Sequence, residues 1–110
     1  MPKVKVKPLS INSAWQGRRF KTPAYSAWRE EVKYLVYRNK KFIEQDKLEL
    51  KIKLYLKNVA TSDADNFIKP IQDALVDGGV IVDERDISKV SCEKIKSKEN
   101  YFEYELSEIK

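Results

Sequence analysis

Residues 46–57 read DKLELKIKLYLK, which is the clearest structural pattern in the chain. Leucine or isoleucine stands at every second position, and most of the residues between them are charged. Successive side chains of a β-strand point to opposite faces, so the alternation predicts a long strand with one buried face and one basic face. Thr61 and Ser62 are expected to end it.

The patterns on either side of this strand predict two helices and four further strands. Residues 23–38 place their apolar side chains on one helical face and begin with Pro23, a favoured first-turn residue. Residues 66–76 show a second helical pattern, which Gly78 and Gly79 end. The further strands are expected at residues 3–7, 80–82, 87–95 and 101–106, with loops at residues 8–22 and 96–100.

The predicted order is therefore β-α-β-α-β-β-β, which is an α+β fold. Each helix is apolar on one face, so we expect the helices to pack on one mixed or mostly antiparallel sheet. A chain of 110 residues with no internal repeat or linker is expected to form a single compact domain over residues 1–110. Its core is modest, and a bound metal or a two-fold dimer would add to its stability.

The composition excludes several classes of site. The chain has no histidine, which excludes Ser-His-Asp and Cys-His nucleophilic sites and most zinc sites. Any metal ligands must therefore be carboxylates, which favours Mg²⁺ or Mn²⁺; no organic cofactor is expected. One cysteine, Cys92, allows no internal disulfide. Neither a signal peptide nor a run of ~20 apolar residues is present, so a cytoplasmic protein without a membrane partner is expected.

The charge is divided unevenly along the chain. Residues 1–60 contain 15 basic and 5 acidic residues, whereas residues 61–110 contain 7 and 12, so the net charges are +10 and −5. A basic half suits a polyanion and an acidic half suits a cation, and a metal-dependent nuclease needs both. The alternative is that the basic surface only keeps a small protein in solution.

Residues 62–75, SDADNFIKPIQDAL, contain the candidate chemistry. Asp63 and Asp65 are two apart at an expected strand end, where extended backbone would point both to the same side. Two converging carboxylates repel each other unless a cation lies between them or one stays protonated. Lys69 lies one helical turn from both Asp65 and Asp73, where it could hold the scissile phosphate or the leaving oxygen.

A purely structural role is the alternative for this stretch. Asp63 or Asp65 could be a helix N-cap. Asp65, Lys69 and Asp73 could form a salt-bridge ladder along the helix surface.

A second acidic cluster follows the expected strand at residues 80–82. Asp83 and Glu84 come directly after it, and carboxylates from two separate segments can build the octahedral oxygen site that Mg²⁺ requires. The alternative is a charged turn that Arg85 neutralises, and we favour it for Asp86.

The motif Asp-x-Asp-Asn-x-x-Lys-x-x-x-Asp-Ala-Leu, followed by a glycine-containing loop, an apolar strand and an acidic pair, resembles the RusA family of Holliday junction resolvases. These are dimeric bacterial enzymes that prophages often encode. Residues 8–12, Pro-Leu-Ser-Ile-Asn, also resemble the opening of that family. The resemblance spans nearly the whole chain.

The resemblance implies a role for each matching residue. Asp63 and Asp65 match the paired metal-binding aspartates, and Lys69 matches the essential lysine. Asp83 and Glu84 match the second acidic pair, which is usually Asp-Asp in the family. Since Glu84 stands where the third catalytic aspartate is expected, either Glu84 substitutes for it, or Asp83 takes its place, or activity is reduced.

The expected function is therefore that of an Mg²⁺-dependent endodeoxyribonuclease, a hydrolase that resolves Holliday junctions in DNA recombination and repair. Its partners would be branched DNA and a second subunit, because a two-fold dimer offers one site for each of two symmetric strands. Whether each site binds one metal ion or two is left open. The alternatives are a catalytically inactive module that binds branched DNA or RNA, and a metal nuclease that prefers flaps, nicks or RNA.

Residues expected to contact DNA lie mainly in the first loop. Arg18, Arg19 and Lys21 form a basic segment with Trp15 and Phe20 interleaved, which suits phosphates and stacked bases. Asn12 is included among the expected DNA contacts only because of the resemblance to the family. Lysines 51, 53 and 57 could also contact DNA, although a solvated strand face is favoured for them.

Overall fold

The computed structural model describes residues 3–8, 15–16, 20–21, 23–37, 39, 47–60 and 63–109, with the backbone alone for residues 15–16, 20–21 and 84. Two helices pack on a four-stranded mixed sheet, so the predicted α+β class is confirmed. Among the described residues, no helix is long and apolar enough to cross a membrane.

The described residues form the strands β1 (Lys3–Val4), β2 (Trp15–Gln16), β3 (Phe20–Lys21), β4 (Leu48–Leu56), β5 (Ile87–Lys96) and β6 (Tyr101–Glu108). The main sheet has the strand order β1-β6-β4-β5. Strand β4 is parallel to β5 and antiparallel to β6, and β1 is antiparallel to β6. A parallel neighbour requires a crossover connection, and the segment between β4 and β5 contains the second helix.

Strand β4 is central, as its alternating sequence predicts. Its inward side chains are all buried, and they are Leu48, Leu50, Ile52, Leu54 and Leu56. They form one core with residues of both helices and with Phe102 and Tyr104 of β6. Burying each leucine or isoleucine side chain contributes roughly 1.5–3 kcal/mol, so this strand supplies a large part of the hydrophobic stabilisation.

Helix α1 (Pro23–Val36) packs on the core through one face. Tyr25, Trp28, Val32 and Val36 are buried at helical spacing. Trp28 is therefore a core residue, while the exposed Tyr34 lies on the outer face.

Helix α2 (Ile68–Asp77) follows a 3-10 turn at Ala64–Phe67. Pro70 lies in its first turn, where the missing N–H costs no helical hydrogen bond. Gly78 follows its last residue beside α1, and a Cβ there would overlap the side chain of Val36.

Within the described residues, the order of the strands differs from the expectation at residues 80–82 and in the first loop. Residues 80–82 do not form a strand: Val80 and Ile81 are buried, and both N–H groups point to the carbonyl of Leu75, at 2.9 and 3.5 Å. Val80 and Ile81 are thus buried where the chain folds back on the end of α2, whereas Val82 is exposed. The expected loop at residues 8–22 contains two short paired strands, with β2 (Trp15–Gln16) antiparallel to β3 (Phe20–Lys21).

Candidate active site

Asp63 and Asp65 lie at the exposed entrance to helix α2. Asp63 has extended backbone (φ −70°, ψ 148°) at the N-cap of the 3-10 turn, and its side chain makes no capping hydrogen bond. Asp65 lies inside that turn, so the expectation that both aspartates occupy extended backbone is wrong. Both residues are exposed, and no side-chain capping role is seen for Asp63.

Lys69 forms an ion pair with Asp73 one helical turn later. Lys69 Nζ is 3.1 Å from Asp73 Oδ1, and the side chains are 47% and 18% exposed. The other oxygen, Asp73 Oδ2, accepts a hydrogen bond of 3.0 Å from the hydroxyl of Tyr25 on α1. The Lys69–Asp73 half of the expected salt-bridge ladder is therefore present. The hydroxyl of Tyr25 joins it to α1.

Asp83 begins the second acidic turn, and Arg85 binds its carboxylate. Asp83 Oδ1 accepts a 2.9 Å hydrogen bond from the Arg85 backbone N–H, and Oδ2 accepts 2.7 and 3.0 Å bonds from the guanidinium. These bonds lower the pKa of Asp83. The expected neutralisation by Arg85 thus acts on Asp83, while Asp86 contributes only a favourable charge near Arg85.

A cleft of about 320 Å³ lies between the two helices and this turn. It is lined by Arg29, Asp73, Val76, Val82 and Asp83. The structure thereby places Asp73 and Asp83 on the same cleft. Sequence reasoning did not select Asp73 as a site residue, although its four-residue spacing from Lys69 was a usable signal.

Asp65 lies near strand β5, close enough to act electrostatically on Cys92. Burial, and secondarily the charge of Asp65, raise the pKa of the Cys92 thiol to about 11, against the opposing charge of Lys94. Lys94 also donates a 2.6 Å hydrogen bond to the carbonyl of Val59, in the segment that leads to Asp63.

The described side chains do not form a complete metal site. Among them, no three His, Cys, Asp or Glu residues are close enough together to hold an ion. The side chain of Glu84 lies outside the described residues. The carboxylates of Asp63 and Asp65 are oxygen donors of the kind that Mg²⁺ binds, so the donor chemistry fits a hard cation.

The expected DNA-binding residues fall mostly outside the described part of the chain. Asn12, Arg18 and Arg19 are not described, and Lys21 is placed only by its backbone in β3, opposite Trp15.

The lysines of strand β4 face acidic residues across the sheet. Lys53 lies in register between Glu103 of β6 and Glu93 of β5, and Lys51 lies opposite Glu105. Opposite charges in register stabilise a sheet, which favours the interpretation as a solvated strand face.

Two comparisons with known proteins bear on this site. The family model described as endodeoxyribonuclease RusA matches residues 2–106. A search of curated proteins finds no match.

Proposed function

The chain belongs to the RusA family of endodeoxyribonucleases, and from this membership we propose an Mg²⁺-dependent, structure-selective enzyme that resolves Holliday junctions by paired phosphodiester hydrolysis. The observation that supports this most directly is the family match over residues 2–106, with the acidic motif at an exposed helix entrance. The match also supports treating the chain as one endonuclease domain.

Asp63 and Asp65 would hold the ion, with Asp83 or Glu84 as a further ligand; Mn²⁺ could replace Mg²⁺. When bound, such an ion lowers the pKa of a water molecule and polarises the phosphoryl group. Lys69 lies one helical turn after Asp65, and its half-exposed ammonium offsets negative charge on the phosphate that is cleaved.

The proposed substrate is a four-way junction, and the proposed assembly is a homodimer. A two-fold dimer places one active site against each of the two strands that must be cut. The basic segment at residues 18–21 would contact backbone phosphates. We place the reaction in cytoplasmic DNA recombination and repair.

One observation favours an alternative function. Arg85 binds both carboxylate oxygens of Asp83. The sequence resemblance to the family also implies that Glu84 stands where an aspartate is usual. A chain whose third ligand is lost in this way would bind branched DNA without cutting it.

The test is cleavage of a labelled four-way junction and a matched linear duplex, with Mg²⁺ and then with EDTA. We expect paired nicks in the junction alone, lost with EDTA and in Asp65→Asn. Glu99→Gln, an exposed change in the turn between β5 and β6, is the control and should cut like the wild type. Metal-independent binding without cutting would establish the inactive module instead.

A further inference from the structure

Asp73 connects the two helices through both oxygens of one carboxylate. Oδ2 accepts a 3.0 Å hydrogen bond from Tyr25 on α1, and Oδ1 lies 3.1 Å from the ammonium of Lys69 on α2. Tyr25 and Asp73 are 48 residues apart, so their contact depends on the packing of the two helices. These two contacts therefore fix the orientation of the carboxylate, which the Lys69–Asp73 ion pair within α2 would not do alone.

Exposure increases along this series of side chains, from the core to the surface. Tyr25 is 1% exposed and packs among buried residues, Asp73 is 18% exposed, and Lys69 is 47% exposed. The phenol of Tyr25 stays protonated at neutral pH, because burial and the nearby Asp73 charge raise its pKa to about 12. An immobile donor in the core thus orients the carboxylate, and the carboxylate restrains the long lysine side chain.

Restraint of a lysine matters for a reaction at its end group. A free lysine side chain populates many rotamers, and holding the ammonium in one place before substrate binds removes that entropy cost from the reaction. Lys69 follows the Asp63–Asp65 turn by one helical turn, where the proposed function places the phosphate. The position of the Lys69 ammonium therefore matters for the rate of the proposed reaction.

We propose that Asp73, oriented by Tyr25, is a positioning residue that acts through Lys69 to hold its ammonium for the scissile phosphate. This inference rests on the proposed nuclease function. It assigns Asp73 no contact with the substrate or with the ion.

The variants that test this inference keep the shape of each side chain nearly unchanged. Asp73→Asn keeps an oxygen that can accept from Tyr25 but removes the charge that holds Lys69. Tyr25→Phe keeps the buried ring and removes only the hydroxyl donor. Asp77→Asn is the matched control, since Asp77 is also an α2 aspartate paired to α1, through Arg29, with no contact to Lys69.

Junction cleavage is measured under single-turnover conditions with excess protein, so that slow rates are resolved. We expect Asp73→Asn to lower the maximal rate about 10–100-fold with little change in half-saturating protein concentration. Tyr25→Phe should lower it less, and Asp77→Asn should match the wild type. The decisive comparison is Lys69→Ala with Lys69→Ala/Asp73→Asn, which should be equally slow because Asp73 acts only through Lys69.

Any of the following results would overturn the inference. Cleavage by Asp73→Asn at the wild-type rate would contradict the inference and leave the proposed function intact. The same holds if Lys69→Ala/Asp73→Asn cleaves more slowly than Lys69→Ala by the factor that Asp73→Asn alone causes. Absence of cleavage by the wild-type chain would remove the proposed function and this inference together. If circular dichroism shows that Asp73→Asn does not fold, the Tyr25→Phe variant tests the inference instead. An unchanged cleavage rate in Tyr25→Phe would show that the hydroxyl of Tyr25 is not used to orient Asp73.

Discussion

Arg85 occupies both carboxylate oxygens of Asp83, which lies only two residues before it. The backbone N–H of Arg85 binds Oδ1 at 2.9 Å, and its guanidinium binds Oδ2 at 2.7 Å. The Arg85 side chain is otherwise 87% exposed, so this contact is its main anchor. A metal ion that uses Asp83 as a ligand must compete with the guanidinium for Oδ2 and with the backbone N–H for Oδ1.

Removing this competitor should strengthen metal binding. In Arg85→Ala we expect severalfold tighter Mn²⁺ binding, measured by calorimetry, and a rise in the pKa of Asp83 towards the ordinary 3.8, measured by carbon NMR of the carboxyl group. Because the folded pKa is lowered, the stabilisation from this pair is present above the unfolded value and is lost as pH falls through the folded one. Lys98→Ala, another exposed cation, is the control. Unchanged Mn²⁺ affinity in Arg85→Ala would assign the further ligand to a residue other than Asp83.

The contact between Gly78 and α1 predicts a stability loss. In Gly78→Ala the new Cβ would meet Val36 and lie 3.3 Å from the carbonyl of Lys33, so the helices must shift, at a cost of about 1–3 kcal/mol. Gly79→Ala is the comparison: Gly79 has φ +75° with nothing within 4 Å of an added Cβ, so only backbone strain of roughly 1–2 kcal/mol is expected. Urea unfolding measures both. A neutral Gly78→Ala variant would contradict a tight contact between α1 and the end of α2.

The acidic residues around Lys51 and Lys53 predict that these lysines are dispensable for DNA binding. Each single alanine variant should change junction affinity little and leave the salt dependence of binding unchanged. Arg18→Ala and Arg19→Ala, in the segment expected to contact phosphates, should weaken binding and reduce the salt slope by about one each. A reduced slope in Lys53→Ala would show instead that the open face of the sheet contacts DNA.

Local patterns predicted the parts of the fold that depend on local burial. The alternation in residues 48–56 fixes which face of β4 is buried, whatever strands lie beside it. Residues 80–82 were predicted wrongly because a short apolar run indicates burial without indicating a partner. Here the partner is the C-terminal end of α2, which the backbone of Val80 contacts at the Leu75 carbonyl.

The candidate site likewise has one part that local sequence predicts and another that depends on the packing of the helices. The motif from Asp63 to Leu75 is contiguous, so its residue types and spacing could be identified from the sequence. The relation of Asp73 to Tyr25 could not, because it joins residues 48 apart and exists only once the helices pack. Asp65 was expected in extended backbone because no residue pattern indicates that a 3-10 turn precedes α2.

Cys92 provides a chemical reporter for an ion bound at Asp65. Burial, and secondarily the charge of Asp65, raise the thiol pKa to about 11, so roughly one thiol in a thousand is ionised at pH 8 and alkylation should be slow. A cation bound at Asp65 neutralises that charge and lowers the pKa. We therefore expect Mg²⁺ to accelerate the reaction of Cys92 with iodoacetamide severalfold.

In Asp65→Asn the thiol should react faster than in the wild type without Mg²⁺, and Mg²⁺ should have no further effect. Asp77→Asn is the control and should keep the wild-type response, because Asp77 pairs with Arg29 on α1. This measurement needs no DNA, so it separates ion binding from catalysis. A wild-type alkylation rate that does not change up to millimolar Mg²⁺ would show that Asp65 does not bind the ion, even if the chain binds junctions.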